Sequence, residues 1–473
     1  VVNKYFQVLD LSVFTSSFET KLEMEVRRRA YAREFESRYD PSNNQFNVEE
    51  KAFSVPILNY HGISDSPYKG DILTETFKEH IYSLKNAGYE TVSLEDFILF
   101  IKGEKDLPEN SIVITFDDGI RSSYIKATPI LESVDFNAVM FVITKFSMHE
   151  GTHYYLSLEE VKDMESTPTW EIQPHAYDSH QRTLVGPDEY GTYLGNKRYI
   201  AGENRLETTE EYRVRISTEF KNTYEEFSKY MGYTPISFAY PFGDYGHTSK
   251  NFPGARQVLA EEIVPYFNTA NFFQTWPSQG PSRNYSGEAA DNLYRRISVH
   301  PDWSGEELLS VLDRGSPKVL DYADDHSTNK GWKSLWGNVL LEGGQLNISP
   351  EASFSAAAFL DGTISWSDYD LNAKISSFEG DSFSVAFNFI DKQNFDSCEF
   401  TKNNLKIETR RDGVTTIVAS KELLQTMPED ANINVGLLST SDVIECYLAS
   451  GESLRWDNIE DTTHRSRGGI GFI

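Results

Sequence analysis

Between residues 54 and 299 short β-branched runs alternate with helix-length amphipathic stretches, and this alternation restricts the possible folds more than any other feature of the sequence. The apolar runs fall at 55–60, 89–93, 112–116, 138–143, 170–173, 236–240 and 296–299. Stretches 74–87 and 207–231 carry apolar residues at helical spacing, and Gly232 ahead of Pro235 closes the second as a helix stop should. Strands that leave room for a helix between them pair in parallel, because a parallel neighbour needs a long crossover. Residues 51–315 are therefore expected to form a parallel α/β sheet or barrel. Near 315–317 the pattern changes to short alternating segments (382–389, 405–409, 415–419, 433–438, 443–448) punctuated by Gly, Asn, Asp and Ser. That predicts an all-β sandwich over 318–473. Residues 1–50, rich in Glu, Arg and Lys around Phe18, Leu22, Val26, Tyr31 and Phe35, predict a short helical arm packed on a neighbour.

The 473 residues are 39% apolar and 13% aromatic, enough to fill more than one core. Lys and Arg number 44 against 72 Asp and Glu, a net charge of −28 that repels phosphate backbones and anionic lipid surfaces. Nucleic acid is set aside as a partner on that ground, and a neutral or amine-bearing polymer is favoured. No run approaches the ~20 apolar residues of a membrane span. The chain opens on Val1 without a basic and then apolar leader, so any export signal or anchor is expected either to have been removed or to lie outside this sequence. Cys398 and Cys446 either bridge neighbouring strands or serve as small core residues.

Four polar segments stand where strands end. In Ile112-Val-Ile-Thr-Phe-Asp-Asp-Gly119 a buried strand runs into two adjacent carboxylates and a glycine. Polar residues at such a point usually face a ligand crevice. Two carboxylates this close cannot both stay ionised cheaply, unless a cation takes one and leaves the other as a base. The competing reading is a surface turn. In Gln173-Pro-His-Ala-Tyr-Asp-Ser-His180 the two histidines lie five apart, on opposite faces of a strand and about 140° apart on a helix. They converge only if the loop curls back, and with one carboxylate they would then make a three-ligand, zinc-type set with an open position. Otherwise they are two unrelated loop histidines. Phe238-Ala-Tyr-Pro-Phe-Gly243 leaves a strand into an aromatic turn that could line a sugar cleft and offer a backbone N–H as an oxyanion donor, or simply pack. His300, after the last strand, suits a general acid or a structural role.

Taken in order, Asp117-Asp118-Gly119, His175…His180, Tyr240-Pro241-Phe242-Gly243 and Val299-His300 resemble the motifs of the NodB-type polysaccharide deacetylases, carbohydrate esterase family 4, over about residues 51–315. The histidine spacing, the Tyr-Pro-Phe-Gly form and Asn59-Tyr60-His61-Gly62 are most similar to the branch that de-N-acetylates poly-β-1,6-N-acetylglucosamine in biofilms. The resemblance implies a distorted (β/α) barrel in which Asp118, His175 and His180 hold a divalent metal, zinc first, with cobalt, nickel, iron or manganese as alternatives. It implies Asp117 as base, the Phe242 N–H as oxyanion donor and His300 as acid, with His61, Tyr177, Tyr240, Pro241 and Trp276 along the substrate. The implied activity is hydrolysis of acetamide groups on an extracellular or cell-surface polysaccharide. Chitin, peptidoglycan and acetylated xylan are the neighbouring substrates, and a non-catalytic carbohydrate-binding protein is the alternative of another class.

The commoner family pattern has an arginine in the third motif that orients the base, and Phe238-Ala239-Tyr240 carries none. The aromatic fourth motif has only Trp276 as a candidate. Residues 318–473, with Trp332, Trp336, Trp366, Tyr369 and the closing Gly468-Gly-Ile-Gly-Phe472, resemble concanavalin-like jelly-roll carbohydrate-binding modules.

Overall fold

The structure, a computed structural model, describes residues 11–46, 49–68, 70–150, 153–275, 282–287, 292–351, 355–427, 432–457 and 468–473, with only the backbone of 11–18 and 150. Two compact units emerge: Val1–Gln274 with Ser286–Leu309, and Thr275–Tyr285 with Ser310–Ile473.

In the first unit α1 (Leu11–Arg38) precedes β1 (Ser54–Tyr60), α2 (Thr74–Asn86), α3 (Leu94–Ile101), β2 (Ser111–Phe116), α4 (Arg121–Glu132), β3 (Ala138–Ile143) and α5 (Leu158–Glu165). There follow β4 (Trp170–Ala176), α6 (Thr209–Met231), β5 (Ser237–Ala239), α7 (Ala255–Ile263), β6 (Ala270–Thr275) and β7 (Leu293–Ser298). Among the described residues these strands order as β5-β6-β7-β1-β2-β3-β4. The pairs β5–β6, β7–β1, β1–β2, β2–β3 and β3–β4 are parallel. β1, β2 and β3 are buried along their whole length, as strands covered on both faces must be.

The sheet curls until β4 meets β5, where side chains bridge the seam. Gln173 Oε1 accepts from Ile236 N and Ser237 N at 3.0 and 3.1 Å, and His175 Nδ1 lies 2.9 Å from Ala239 O. The result is a near-closed, seven-stranded parallel barrel. Its carboxyl rim, where ligand sites of such folds lie, collects the residues after β2, β4, β5 and β7. The long helix α6 starts in a capping box between Thr208 and Glu211 and stops at Gly232, φ +81.

Two expectations change in detail. The apolar stripe of the arm is not the one anticipated: Leu22 and Val26 stay exposed, whereas Met24 is buried. Tyr31 O accepts from Tyr82 Oη at 2.7 Å, and the Phe35 and Tyr82 rings meet at 5.1 Å, so α1 lies on α2 of its own barrel. Strand β6 was not anticipated. Asn271 interrupts its apolar run, and that amide is buried because it donates to Phe267 O at 3.0 Å.

The second unit is all-β. β8 (Trp332–Trp336), β9 (Ala357–Leu360), β10 (Tyr369–Ile375), β11 (Ser382–Asp391), β12 (Asn394–Thr401) and β13 (Asn404–Arg411) come first. β14 (Val414–Glu422), β15 (Ile433–Ser439), β16 (Val443–Leu448), β17 (Ser453–Asp457) and β18 (Gly469–Phe472) complete the main strands. One antiparallel sheet runs β8-β9-β18-β11-β12-β13-β14 and the other β10-β15-β16-β17. Trp332, Trp366, Val385, Phe387, Phe400, Ile407, Leu437 and Ile444 pack into one core. Cys398 of β12 and Cys446 of β16 form a disulfide that joins the two sheets through this core. The bond closes a loop of 48 residues, for which chain entropy gives about 4 kcal/mol. Cys398→Ser should therefore lower the guanidinium stability of this unit by about that amount. Equilibrium unfolding with and without reductant checks it.

Candidate active site

β2 is buried through Phe116 and is followed by Asp117, whose N–H donates to Tyr60 O at 3.0 Å. That bond keeps Asp117 in the sheet, 2% exposed. The backbone then breaks away, since Asp118 and Gly119 both take left-handed conformations, φ +74 and +69. For Asp118 this costs of order 1–3 kcal/mol, the kind of strain that clusters at functional sites. Gly119 is required as well by space, because a Cβ there would lie 2.9 Å from Ser147 Oγ. This double turn sends two adjacent carboxylates to different partners.

Asp117 goes to Arg296 of β7, which is fully buried. The guanidinium binds bidentately, Nη1 to Oδ1 at 2.6 Å and Nη2 to Oδ2 at 2.7 Å, and Asn59 Nδ2 adds a contact of 3.2 Å. Burial pushes the Asp117 carboxyl up, but the Arg296 charge, then His175, the Arg296 hydrogen bonds and His61, outweigh it and hold the group well below the usual carboxylate range. An arginine does hold Asp117, then. It comes from β7, not from the segment before Tyr240. The sequence signal was an arginine inside a strand, which is tolerated only where a carboxylate answers it.

Asp118 goes to the histidines. His175 Nε2 lies 3.4 Å and His180 Nε2 3.2 Å from the same atom, Asp118 Oδ1. Ligand atoms of the three residues all fall within 4.8 Å of one another. The 2.9 Å contact from His175 Nδ1 to Ala239 O needs a proton on Nδ1, which leaves a lone pair on Nε2. Burial pushes His175 down to about 4 against the raising effect of Asp117 and Asp118, so the ring is neutral at pH 7. An imidazole lone pair therefore faces a carboxylate oxygen that is buried and has no hydrogen-bond partner. Acceptor against acceptor at this distance is unfavourable unless a cation lies between them, and one oxygen with two imidazole nitrogens is a zinc-type donor set with room for a further ligand. The residues present fit a divalent metal.

A residue the sequence reading did not single out makes the five-residue spacing work. Glu219 of α6 is buried, and its Oε1 accepts from the main-chain N–H groups of Tyr177, Asp178 and Ser179 at 3.0, 2.9 and 2.9 Å. One carboxylate oxygen thus folds the loop after β4 back so that His180 meets His175. Burial pushes the Glu219 carboxyl up against these hydrogen bonds. In sequence it is one more Glu in an acidic helix, without a local signal.

The remaining residues divide. Phe242 sits in a tight turn at φ +60, 37% exposed, with its ring stacked on His180 at 4.5 Å and 27°. Tyr240 and Pro241 are buried. The Tyr240 ring packs against Phe220, Phe238 and Tyr245, so these two hold the turn from below and do not present a surface to a polymer, contrary to expectation. Tyr177 is half-buried, its ring 6.4 Å from His149. His61 is half-buried, its carbonyl accepting from Ser123 Oγ at 2.7 Å. His300 is exposed, with Asp302 N 3.2 Å from its Nδ1 and the Trp303 ring at 6.4 Å. Trp276 lies outside the described residues.

The family model described as polysaccharide deacetylase matches residues 104–255, which include both aspartates, both histidines and the turn at Phe242. By this match the segment is similar to polysaccharide deacetylase domains. The chain is 25% identical over 205 residues to a protein of Escherichia coli K12 named poly-beta-1,6-N-acetyl-D-glucosamine N-deacetylase, covering 40% of this chain and 30% of that one. A protein of the same name from Staphylococcus aureus is 33% identical over 150 residues, 28% of this chain and 51% of that one. The chain thus spans between about a third and a half of the length of these relatives. A solved de-N-acetylase of Aggregatibacter actinomycetemcomitans aligns with 55% of this chain and 99% of its own, at 20% identity and a TM-score of 0.47.

Two outcomes follow from the geometry. Glu219→Ala should weaken zinc affinity on the order of 10–100-fold, whereas Glu219→Gln, which keeps the acceptor oxygen, should recover most of it, read by competition with a chromophoric chelator. Arg296→Met strands a buried carboxylate and should cost about 3–5 kcal/mol in equilibrium unfolding, while Arg296→Met with Asp117→Asn should cost clearly less than the two singles added.

Proposed function

We propose that this chain is a metal-dependent hydrolase that removes acetyl groups from an N-acetylglucosamine-containing polysaccharide, poly-β-1,6-N-acetylglucosamine first, with release of acetate. One observation carries the reading: a buried, unpartnered carboxylate oxygen faces two imidazoles beside a second carboxylate already clamped by an arginine. The names of the relatives support the same substrate.

Asp118, His175 and His180 would hold the ion, and a divalent cation there supplies Lewis-acid polarisation of the acetyl carbonyl and of the attacking water. Asp117 takes the proton of that water. Its pairing with Arg296 lowers its basicity but holds it ionised in a single orientation, fixed further by Asn59. The Phe242 N–H receives the developing oxyanion, a contact whose loss costs roughly 3–4 kcal/mol in comparable sites. His300, exposed beyond the end of β7, protonates the departing sugar amine. Beside His180 a pocket of about 110 Å³, apolar at Ile143 and Phe146 and polar at Asp178 and Gln181, has the character an acetyl group needs.

The Cys398–Cys446 disulfide supports an extracellular or cell-surface setting, where such bonds persist. Among the described residues no helix is long and apolar enough to cross a membrane. The product amine is a cation, and a chain of net charge −28 attracts it.

On a β-1,6-linked N-acetylglucosamine oligomer, Asp117→Asn should keep bound zinc and lose acetate release by at least about a hundredfold. Asp118→Ala and His180→Ala should lose the zinc as well. Acetate release together with metal analysis decides this; full activity in Asp117→Asn removes the base assignment.

A further inference from the structure

Tyr154 and Tyr155 belong to none of the motifs above, yet the chain holds them beside Asp118. Leu156 N donates to Gly119 O at 2.8 Å, Arg121 N donates to Tyr154 O at 2.9 Å, and Tyr155 pairs with Ile120 in an antiparallel bridge. Main-chain links thus tie 154–156 to 119–121, the residues directly after Asp118. The Tyr155 ring stacks on Phe146 at 4.7 Å and 17°, and stands edge-on to Tyr154 at 4.9 Å and 88°. Phe146 also lines the pocket beside His180. Tyr154 itself is 44% exposed.

A half-open tyrosine ring buttressed by a second ring offers a preorganised apolar face with a hydroxyl at its tip. That combination stacks on the C–H face of a pyranose and reaches its rim hydroxyls. Burial, and then the charges of Asp71 and Asp118, push the Tyr154 phenol up to about 12, so the hydroxyl stays a donor at neutral pH. Phe242, stacked on His180, is the exposed ring on the histidine side of the cluster. A polymer needs contacts to units flanking the reacting one, and a small acetyl ester needs none.

We infer that the Tyr154–Tyr155 corner is a sugar subsite: Tyr154 stacks on a hexosamine unit next to the one whose acetyl group reaches Asp118, His175 and His180, and Tyr155 positions it. The inference rests on the polysaccharide reading and adds which residues grip the polymer.

The test is calorimetric titration of a β-1,6-linked N-acetylglucosamine pentamer into the zinc-loaded full chain carrying Asp117→Asn to stop turnover. Adding Tyr154→Ala should weaken binding about tenfold, and Tyr154→Phe less than about threefold, with zinc content unchanged. In the protein that retains Asp117, Tyr154→Ala should leave hydrolysis of 4-nitrophenyl acetate within about twofold of the unsubstituted protein. Pentamer binding unaffected by Tyr154→Ala, a parallel loss on the small ester, or no pentamer binding in the parent protein would each overturn the subsite. Tyr154-dependent binding without acetate release from the unsubstituted protein would leave the subsite standing and sink the deacetylase reading.

Discussion

Two carboxylates on consecutive residues at the end of a buried strand cannot share one environment, and the first unit directs one to a bidentate arginine and the other to two imidazoles that a cation would join to it. The left-handed turn at Asp118 and Gly119 makes the separation possible by sending neighbouring side chains to opposite partners. Arg296 approaches from β7, one strand beyond β1, so the parallel run β7-β1-β2 brings residues 179 apart in sequence within 2.6 Å. The other half of the site helps to close the barrel, since the His175 side chain, together with Gln173, bridges β4 to β5. Fold and site therefore share bonds, and a loss in one should be felt in the other.

The pairing with Arg296 also sets the character of Asp117. A carboxylate in a buried ion pair stays ionised, which suits a proton acceptor, yet a strong partner makes it a weaker base. Asn59 and Arg296 between them occupy both of its oxygens, which favours orientation over intrinsic basicity. Asp118 has the opposite environment, with an oxygen left unpartnered in a buried position. Identical side chains one residue apart thus acquire different chemistry from their surroundings alone.

Much of this was legible in the sequence where the signal is local. β1, β2 and β3 read as strands because their sequences are mostly apolar, and the polar residues immediately after β2 and around the end of β4 stand out against that background. Two things were not legible. Arg296 and Glu219 work through partners some 40 to 180 residues away, and a single sequence carries no record of such pairings. Inside and outside are also poorly separated for aromatic residues: Tyr240 looked like a surface for sugar and is core, whereas Tyr154 attracted no notice and is half-open beside the cluster. β6 was missed for a similar reason, its buried Asn271 being satisfied by a backbone carbonyl rather than exposed.

The central claim is that Asp118, His175 and His180 share one ion. X-ray absorption at the zinc edge of the zinc-loaded chain measures it most directly. The account predicts one zinc per chain in an N/O shell at ~2.0–2.1 Å with two imidazoles, and no bound zinc in His180→Ala. A protein that takes up no stoichiometric zinc, or whose shell has no imidazole, contradicts it.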